Sequence, residues 1–523
     1  MVAKSKVRKS RGSSKRFIGK PTGQIQDRVQ AVGPEHFGIV AVDCAKRRSK
    51  WMLCNFYGKI VIEPTIVEHT AGGLRAMAEL IRQTCRDEGL TDTLVAVEMT
   101  GIYHKPVCRA FRKARFDTRI VHPYVSKHYR ESLHPDEKTD DNDLEAIFHA
   151  AINGYGLVKP PVSDVYQSLQ AISRYRHNLV KQRSRLMVQI RRLLHQTMPG
   201  FADLFDEDRL FHKSIALPVA LKFDSADAIC RVGVDGIVKH LHEVKVQYFT
   251  RTVERVVAWA RNAAEPCDLA MLHTRQWQQL NELRSLITEQ IAAAEREIAG
   301  FLAKTPYILL LSVTGINVVS AARLAGEAGP IEHYPTARAI NGRAGLFPSR
   351  YQSDHIDYAN GSLVRQCNRK LRGAAMMVAG NLSKCHSYYR GLSELWKRHK
   401  VDPRDRCSRI ANRAMRMVFQ LVGGRQLWRG KGVDCEYVLA KLQKFHRDHN
   451  TPIEQSIRDM NEAIAWLPKH AYAAEAKPIA ELACKQQRGP TPIGDLLVPL
   501  LLRLGVTLEE SVESNMSEAR NSD

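Results

Sequence analysis

From Phe37 the chain runs apolar to Val42 and then breaks on Asp43, and a second such run, Leu94-Val-Ala-Val97, breaks on Glu98. Short runs of this kind, rich in Val and Ile and bounded by polar residues, predict buried strands. Residues 37–43, 50–56 and 59–66 read as three successive strands, with Tyr57-Gly58 turning between the last two. A helix is expected from about Ala71 to Arg86, then the strand that ends on Glu98 and a helix after His104. A short strand Thr118–His122 and a helix opening near Thr139 follow. Further on the period changes. Leu169, Ile172, Leu179, Leu186, Ile190 and Leu193 recur at three-and-four spacing, as do Leu280, Leu283, Ile287, Ile291, Ala294, Ile298 and Phe301. Two long amphipathic helices paired as an antiparallel coiled coil are the simplest structure for them, with residues from about 198 to 251 as an insertion of shorter elements.

Strand, strand, strand, helix, strand, helix, strand, helix is the ribonuclease H order, in which strand ends gather a site. Four acids fall at those points: Asp43, Glu98, and the pair Asp140 and Asp143 in Lys138-Thr-Asp-Asp-Asn-Asp143. Asp140 and Asp143 are three apart and share a helical face, Thr139 is placed to cap that helix, and its dipole favours acids there. Any one of these acids could simply cap a turn. Four converging carboxylates would repel and raise one another's pKa values unless a cation compensates, and a hard divalent ion such as magnesium takes oxygen ligands while leaving room for phosphate oxygens. A phosphodiester is the expected substrate.

Charge agrees with that. The 523 residues hold 78 Lys and Arg against 55 Asp and Glu, a formal net charge of +23 and a pI near 9.6, the footprint of a nucleic-acid protein. The first twenty residues carry eight Lys and Arg among Ser and Gly and read as a basic, disordered arm. Arg174, Arg176, Lys181, Arg183, Arg185, Arg191 and Arg192 give the first long helix a basic face, which is either solvated or tracks a nucleic-acid backbone. Eleven cysteines without a Cys-x-x-Cys pair exclude a zinc ribbon and point to a reducing cytoplasm. No apolar stretch reaches membrane length, since Tyr307–Gly326 is interrupted by Ser312, Asn317 and Arg323, and the N-terminus lacks the apolar segment of a signal peptide.

A third region opens with Ile308-Leu-Leu-Leu-Ser-Val-Thr-Gly-Ile-Asn317 and a small-residue helix, the pattern of a helix-hairpin-helix whose Gly turn lets backbone amides approach a phosphate. Gly345-Leu-Phe-Pro-Ser-Arg-Tyr-Gln-Ser353-Asp-His355 then forms a polar loop, followed by a basic helix through Arg365, Arg369, Lys370 and Arg372. On residue chemistry alone Ser353 is not distinguished from Ser349, Ser362 or Tyr351, and Arg350 and His355 are ordinary loop residues.

The chain as a whole resembles the DEDD transposases of bacterial insertion sequences, a family of bridge-RNA-guided serine recombinases that joins a RuvC-like domain to a C-terminal transposase domain. The resemblance rests on Val42-Asp43-Cys-Ala-Lys46, Glu98-Met-Thr-Gly-Ile-Tyr103, Lys138-Thr-Asp-x-x-Asp143, Thr314-Gly-Ile316, Gly345-Leu-x-Pro348 with Gln352-Ser353, and Asn368-x-x-Leu371-Arg372. These motifs run in family order across roughly residues 37–430, with departures at Asp354 and Cys367.

The resemblance implies an α/β plus α fold: a ribonuclease-H-like (RuvC-like) N-terminal domain, a long helical coiled coil and a mainly helical C-terminal transposase domain. The expected division is a basic arm 1–34, the DEDD domain 35–160, the coiled coil with its insertion 161–305, the transposase domain 306–430 and an extension 431–523 of no assigned role. It further implies that Asp43, Glu98, Asp140 and Asp143 hold Mg2+ and that Ser353 attacks DNA to form a phosphoserine link. Donor and target DNA, a guide RNA, and a dimer or tetramer whose site combines two subunits are the implied partners. Two alternatives stand beside this reading. One is a RuvC-like nuclease that uses water; the other is a non-catalytic DNA- or RNA-binding protein, disfavoured because a costly acid cluster has no binding purpose without metal.

Overall fold

The computed structural model describes residues 25–154, 157–158, 164–205, 210–211, 215–353, 356–358, 361–430 and 432–468. The chain divides into two compact units, Met1–Val162 and Ser163–Asp523.

Unit 1 is built on one mixed sheet. Strands β1 (Phe37–Cys44), β2 (Arg48–Asn55) and β3 (Ile60–Glu68) form an antiparallel meander. Strands β4 (Asp92–Glu98) and β5 (Asp117–Val121) add in parallel on the other side of β1, and the short β6 (Leu157–Val158) closes the edge, giving the order β3-β2-β1-β4-β5-β6.

The uninterrupted apolar run of β1 is explained by burial on both faces. Its odd positions Phe37, Ile39 and Ala41 pack with Leu144, Ile147 and Ala151 of α5 (Asp140–Ile152) and with Ile25 and Val29 of α1 (Ile25–Val32). Its even positions Val40 and Val42 pack with Leu74, Met77 and Ile81 of α2 (Ala71–Asp87) and with Val107 and Phe111 of α3 (His104–Lys113). Each large side chain removed from water here contributes about 1.5–3 kcal/mol relative to an exposed one.

Residues 25–32, which the charge run grouped with the basic arm, form helix α1, docked by Ile25 and Val29 and by Arg28, whose guanidinium bridges Asp92 and Asp117. A further helix, α4 (Pro123–Leu133), stands between β5 and α5, where the pattern gave no helix.

Unit 2 is helical apart from one small hairpin among the described residues. Helices α6 (Asp164–Thr197) and α10 (Ala270–Ala303) run antiparallel: Arg176 pairs with Glu295 near one end, and the Cys267 amide donates to the Gln196 carbonyl near the other. Leu179, Leu186, Ile287 and Ile291 fill the seam. The insertion is also helical, with α7 (Ala216–Lys222), α8 (Ala226–Glu243) and α9 (Thr250–Arg261) enclosing their own core around Phe201 and Trp277.

The remaining core centres on a short 3-10 helix, Pro306–Ser312, whose residues are all buried. Around it lie α11 (Val318–Ala328), α12 (Ala337–Ala344), α13 (Arg369–Cys385), α14 (Ser387–Arg398), α15 (Pro403–Gly423), α16 (Cys435–Asp448) and α17 (Ile453–Ile464). Gly326 lets α11 approach α6 closely: a Cβ there would stand 2.7 Å from the Gln170 amide nitrogen. No described helix is long and apolar enough to cross a membrane.

Candidate active site

Strand alternation sets the first two acids. Val42 and Val97 are register partners on the parallel strands β1 and β4, so Asp43 and Glu98 are the next pair, at the carboxyl ends of adjacent strands. Both share parity with the strand residues that face α5, namely Ile39 and Ala41 on β1 and Leu94 and Ala96 on β4. The first turn of α5 carries Asp140, Asp141 and Asp143, and the Thr139 hydroxyl accepts from the Asn142 amide to cap it. Sheet parity and a capped helix thus bring the four predicted acids to one side of unit 1.

Their proximity shows in Asp43. Burial, then the charge of Glu98 and a side-chain hydrogen bond to it, then Asp143 and Asp140, push the Asp43 carboxyl up to about 7. Neighbouring side chains fix two of the others, Glu98 and Asp143. The Ser126 hydroxyl donates to Glu98 Oε1 at 2.6 Å, and Arg130 Nη1 donates to Asp143 Oδ1 at 2.5 Å. Lys50, the register partner of Asp43, pairs instead with Asp141 at 2.7 Å. Ser126 and Arg130 both lie on α4, and the sequence pattern singled out neither. Cys44 and Cys108 are buried, and burial pushes both thiols up, which makes them inert packing groups.

Among the described residues, no three His, Cys, Asp or Glu side chains already stand as a closed metal cage. Magnesium ordinarily binds through one or two carboxylates, waters and substrate phosphates, so an open set of oxygen donors under mutual repulsion fits such an ion.

Ser353 belongs to unit 2. It ends β7 (Tyr351–Ser353), which pairs antiparallel with β8 (Ile356–Tyr358), Ser353 opposite Ile356. Asp354 and His355 lie outside the described residues. The ladder continues toward the base of the hairpin: the Ser349 amide donates to the Ser362 carbonyl, the Val364 amide donates to the Phe347 carbonyl, and Pro348 bridges Leu363.

Arg372 clamps that base. Its guanidinium donates to the carbonyls of Ala344 (3.0 Å), Gly345 (3.2 Å) and Val364 and to the Cys367 sulfur (2.8 Å). Asn368 caps α13 by accepting from the amides of Lys370 and Leu371. The Asn368-x-x-Leu371-Arg372 motif is therefore the mount of the serine hairpin, and Cys367 takes part in it.

The Thr314-Gly-Ile316 turn also sits as its pattern predicted, between the short 3-10 helix and α11, with Gly315 at φ +93° and Asn317 closing a capping box with Ser320. Lys441 of α16 lies beneath it, donating to the carbonyls of Leu311 (2.7 Å), Val313 (3.1 Å) and Ile316 (3.5 Å). More than a hundred residues separate Lys441 from that turn in sequence, so no local pattern could have linked them.

A transposase model of the IS110 DEDD type matches residues 40–199, and a model described as transposase of the IS116/IS110/IS902 family matches residues 307–393. The chain is also similar to a probable family 20 transposase of Pseudomonas aeruginosa strain PAO1, 25% identical over 359 residues, which span 67% of this chain and 90% of that protein. The first match contains all four acids and the second contains Ser353 with its Arg372 clamp. Residues 40–199 and 307–393 are thus similar, in that order, to the two transposase domains of the IS110 family.

Proposed function

We propose that this transposase cuts and rejoins the DNA of its own insertion sequence through a phosphoserine link at Ser353, with Mg2+ held by Asp43, Glu98, Asp140 and Asp143. The observation that carries the metal assignment is the convergence of those acids: two on adjacent strand ends facing α5, two in its first turn, with Asp43 raised to about 7 by burial and by the other three. The sheet order and the helix after each of β4 and β5 support a ribonuclease-H-like (RuvC-like) fold for unit 1.

Ser126 orients Glu98, and Arg130 holds Asp143. Magnesium, when bound, supplies charge compensation at the phosphate and eases loss of a hydroxyl proton. In unit 2 the Arg372 clamp fixes the ends of the hairpin that presents Ser353. Attack by the serine oxygen forms one P–O bond while the bond to one deoxyribose oxygen breaks, and that oxygen leaves with a proton. The phosphodiester count is unchanged, so a deoxyribose hydroxyl can reverse the step onto a new strand without an outside energy source. The family resemblance and the net charge of +23 support a structured guide RNA, a homo-oligomer and work in the cytoplasm.

A reaction stopped before rejoining tests this. DNA should migrate with the protein under denaturing conditions, attached to the peptide that contains Ser353, and Ser353→Ala should lose cleavage and joining together by several orders of magnitude. An adduct on Tyr351 or Ser349 would move the nucleophile. Cleavage without an adduct, surviving in Ser353→Ala, would establish a water-using nuclease instead.

A further inference from the structure

On the opposite face of the sheet from the acids, α2 and α3 enclose an open groove of about 540 Å3. Its apolar lining comes from Leu74 and Ala78 on α2 and Pro106 and Ala110 on α3. Its rim is cationic. Lys105, Arg109 and Lys113 follow one another at four-residue intervals along α3, and Arg75 faces them from α2. The inward side of α3, with His104, Val107, Cys108 and Phe111, is buried, so the three cations form the helix's outward ridge.

The lone acid of the lining is already engaged: Glu79 pairs with Arg82, which also donates to the Ala114 carbonyl and lies over the Phe116 ring, and it stands 3.9 Å from Arg86. Arg75, Lys105, Arg109 and Lys113 have no carboxylate partner among the described residues.

We propose that this groove is a track for the sugar-phosphate backbone of a single nucleic-acid strand, a binding site separate from the acids. Like charges at four-residue intervals on one helix repel, and an anion with a matching repeat relieves that repulsion. Successive α3 cations are roughly 6 Å apart along the axis, which is close to the phosphate repeat of an extended strand. One ridge of three cations suits one strand rather than both backbones of a duplex. The apolar lining gives sugars and base edges a surface that water solvates poorly. An acidic peptide would meet the same charge, but nothing in its chemistry requires the regular spacing.

The test uses the full-length protein with a chelator present, so that strand binding is read without cleavage and independently of any metal at the acids. Labelled single-stranded RNA, single-stranded DNA and duplex DNA are titrated across a salt series. The variant is Lys105→Gln with Arg109→Gln and Lys113→Gln. The control is Lys59→Gln with Arg86→Gln and Arg115→Gln, which removes the same charge from other exposed positions of unit 1.

Single strands release about 0.7 counterions per phosphate contact, so the groove variant should lower the salt slope by about 2 and weaken single-strand binding at least tenfold, with a melting temperature no lower than the parent's. The duplex should lose less. A larger loss on RNA than on DNA would identify the occupant as RNA, and the reverse as DNA. An unchanged slope, an equal loss in the control, a loss confined to the duplex, or full competition by polyglutamate for the groove-dependent binding would each overturn the proposal.

Discussion

Asp143 is the most buried of the four acids, 8% exposed, and Arg130 is its cation. Removing one partner of a buried pair leaves a bare charge and costs about 3–5 kcal/mol, so Arg130→Gln should lower the melting temperature sharply in chelator. If Asp143 is a metal ligand, millimolar magnesium should recover much of that loss and raise the variant's melting temperature more than the parent's. Equal magnesium responses would remove Asp143 from the set. Ser126→Ala frees Glu98 without leaving a buried charge, and such supporting contacts typically change metal affinity or activity by about 10–100-fold; calorimetry with magnesium alone measures it. Asp43→Asn should abolish strand exchange and weaken magnesium binding while the fold survives, and normal recombination in that variant would refute the metal assignment. The acids were readable in the sequence because each interrupts a strong local pattern: a strand that ends on a carboxylate, or a capped helix that begins with several. Ser126 and Arg130 were not, because α4 turns a polar face inward. Its only buried residues are Val125 and Ser126, so it has no apolar stripe to announce a helix.

The same logic separates readable elements from unreadable ones. The strands of the meander and both long helices were legible because each buries a periodic set of side chains, whereas α1 rests on Ile25, Val29 and one arginine reaching Asp92 and Asp117. Contacts between elements distant in sequence were invisible, and α16 and α17 show the consequence for stability. His446 Nε2 and Asp459 Oδ2 stand 3.5 Å apart in the core, and neither has a hydrogen-bond partner among the described residues. Burial, with His449 nearby, pushes His446 down to about 4 from 6.5, and burial pushes Asp459 up to about 6 from 3.8, against the pull of Arg458 and Lys304. The lowered histidine contributes stability that is present above pH 6.5 and lost as pH falls through 4. The raised aspartate contributes stability that is present below pH 3.8 and lost as pH rises through 6. Over about pH 4–6 the two slopes oppose each other. Asp459→Asn should therefore make the protein lose stability on acidification more steeply than the parent does, and His446→Gln should make it lose less. Denaturant titrations at pH 4.5 and 6.5 read both differences, and parallel curves for all three proteins would show that neither group titrates in this window.

At the scale of the whole molecule, the charge of +23 is not one undifferentiated field, because some of its cations are structural. On α6, Arg174 makes a two-pronged pair with Glu327 at 2.7 and 2.8 Å, and Arg176 pairs with Glu295, which also meets His449 at 2.7 Å. These arginines belonged to the basic face read from the sequence, but they hold α6 to α11 and α10 within unit 2. Lys181 and Arg185 are exposed on α6, and Lys370 is exposed in the first turn of α13. Their field is already felt inside the protein: burial first, then Arg323, Lys181, Lys370 and Arg176, hold His177 below its ordinary range. A region where one histidine meets Arg323, Lys181 and Lys370 in addition to the paired Arg176 attracts polyanions, whereas paired arginines alone do not. Neutralising Lys181, Arg185 and Lys370 to Gln should therefore flatten the salt dependence of nucleic-acid binding by about 2 to 3 in slope and leave the melting temperature unchanged. Arg174→Gln should do the reverse. It leaves the 3% exposed Glu327 carboxylate without its fork, a loss of about 1–3 kcal/mol, while the salt slope stays near that of the parent. Binding isotherms across a salt series, paired with thermal melts of the same preparations, separate the two classes. If Arg174→Gln flattened the slope as much as the triple variant, the division between structural and phosphate-facing cations on this helix would be wrong, and the basic face would act as the single undivided surface that its sequence suggested.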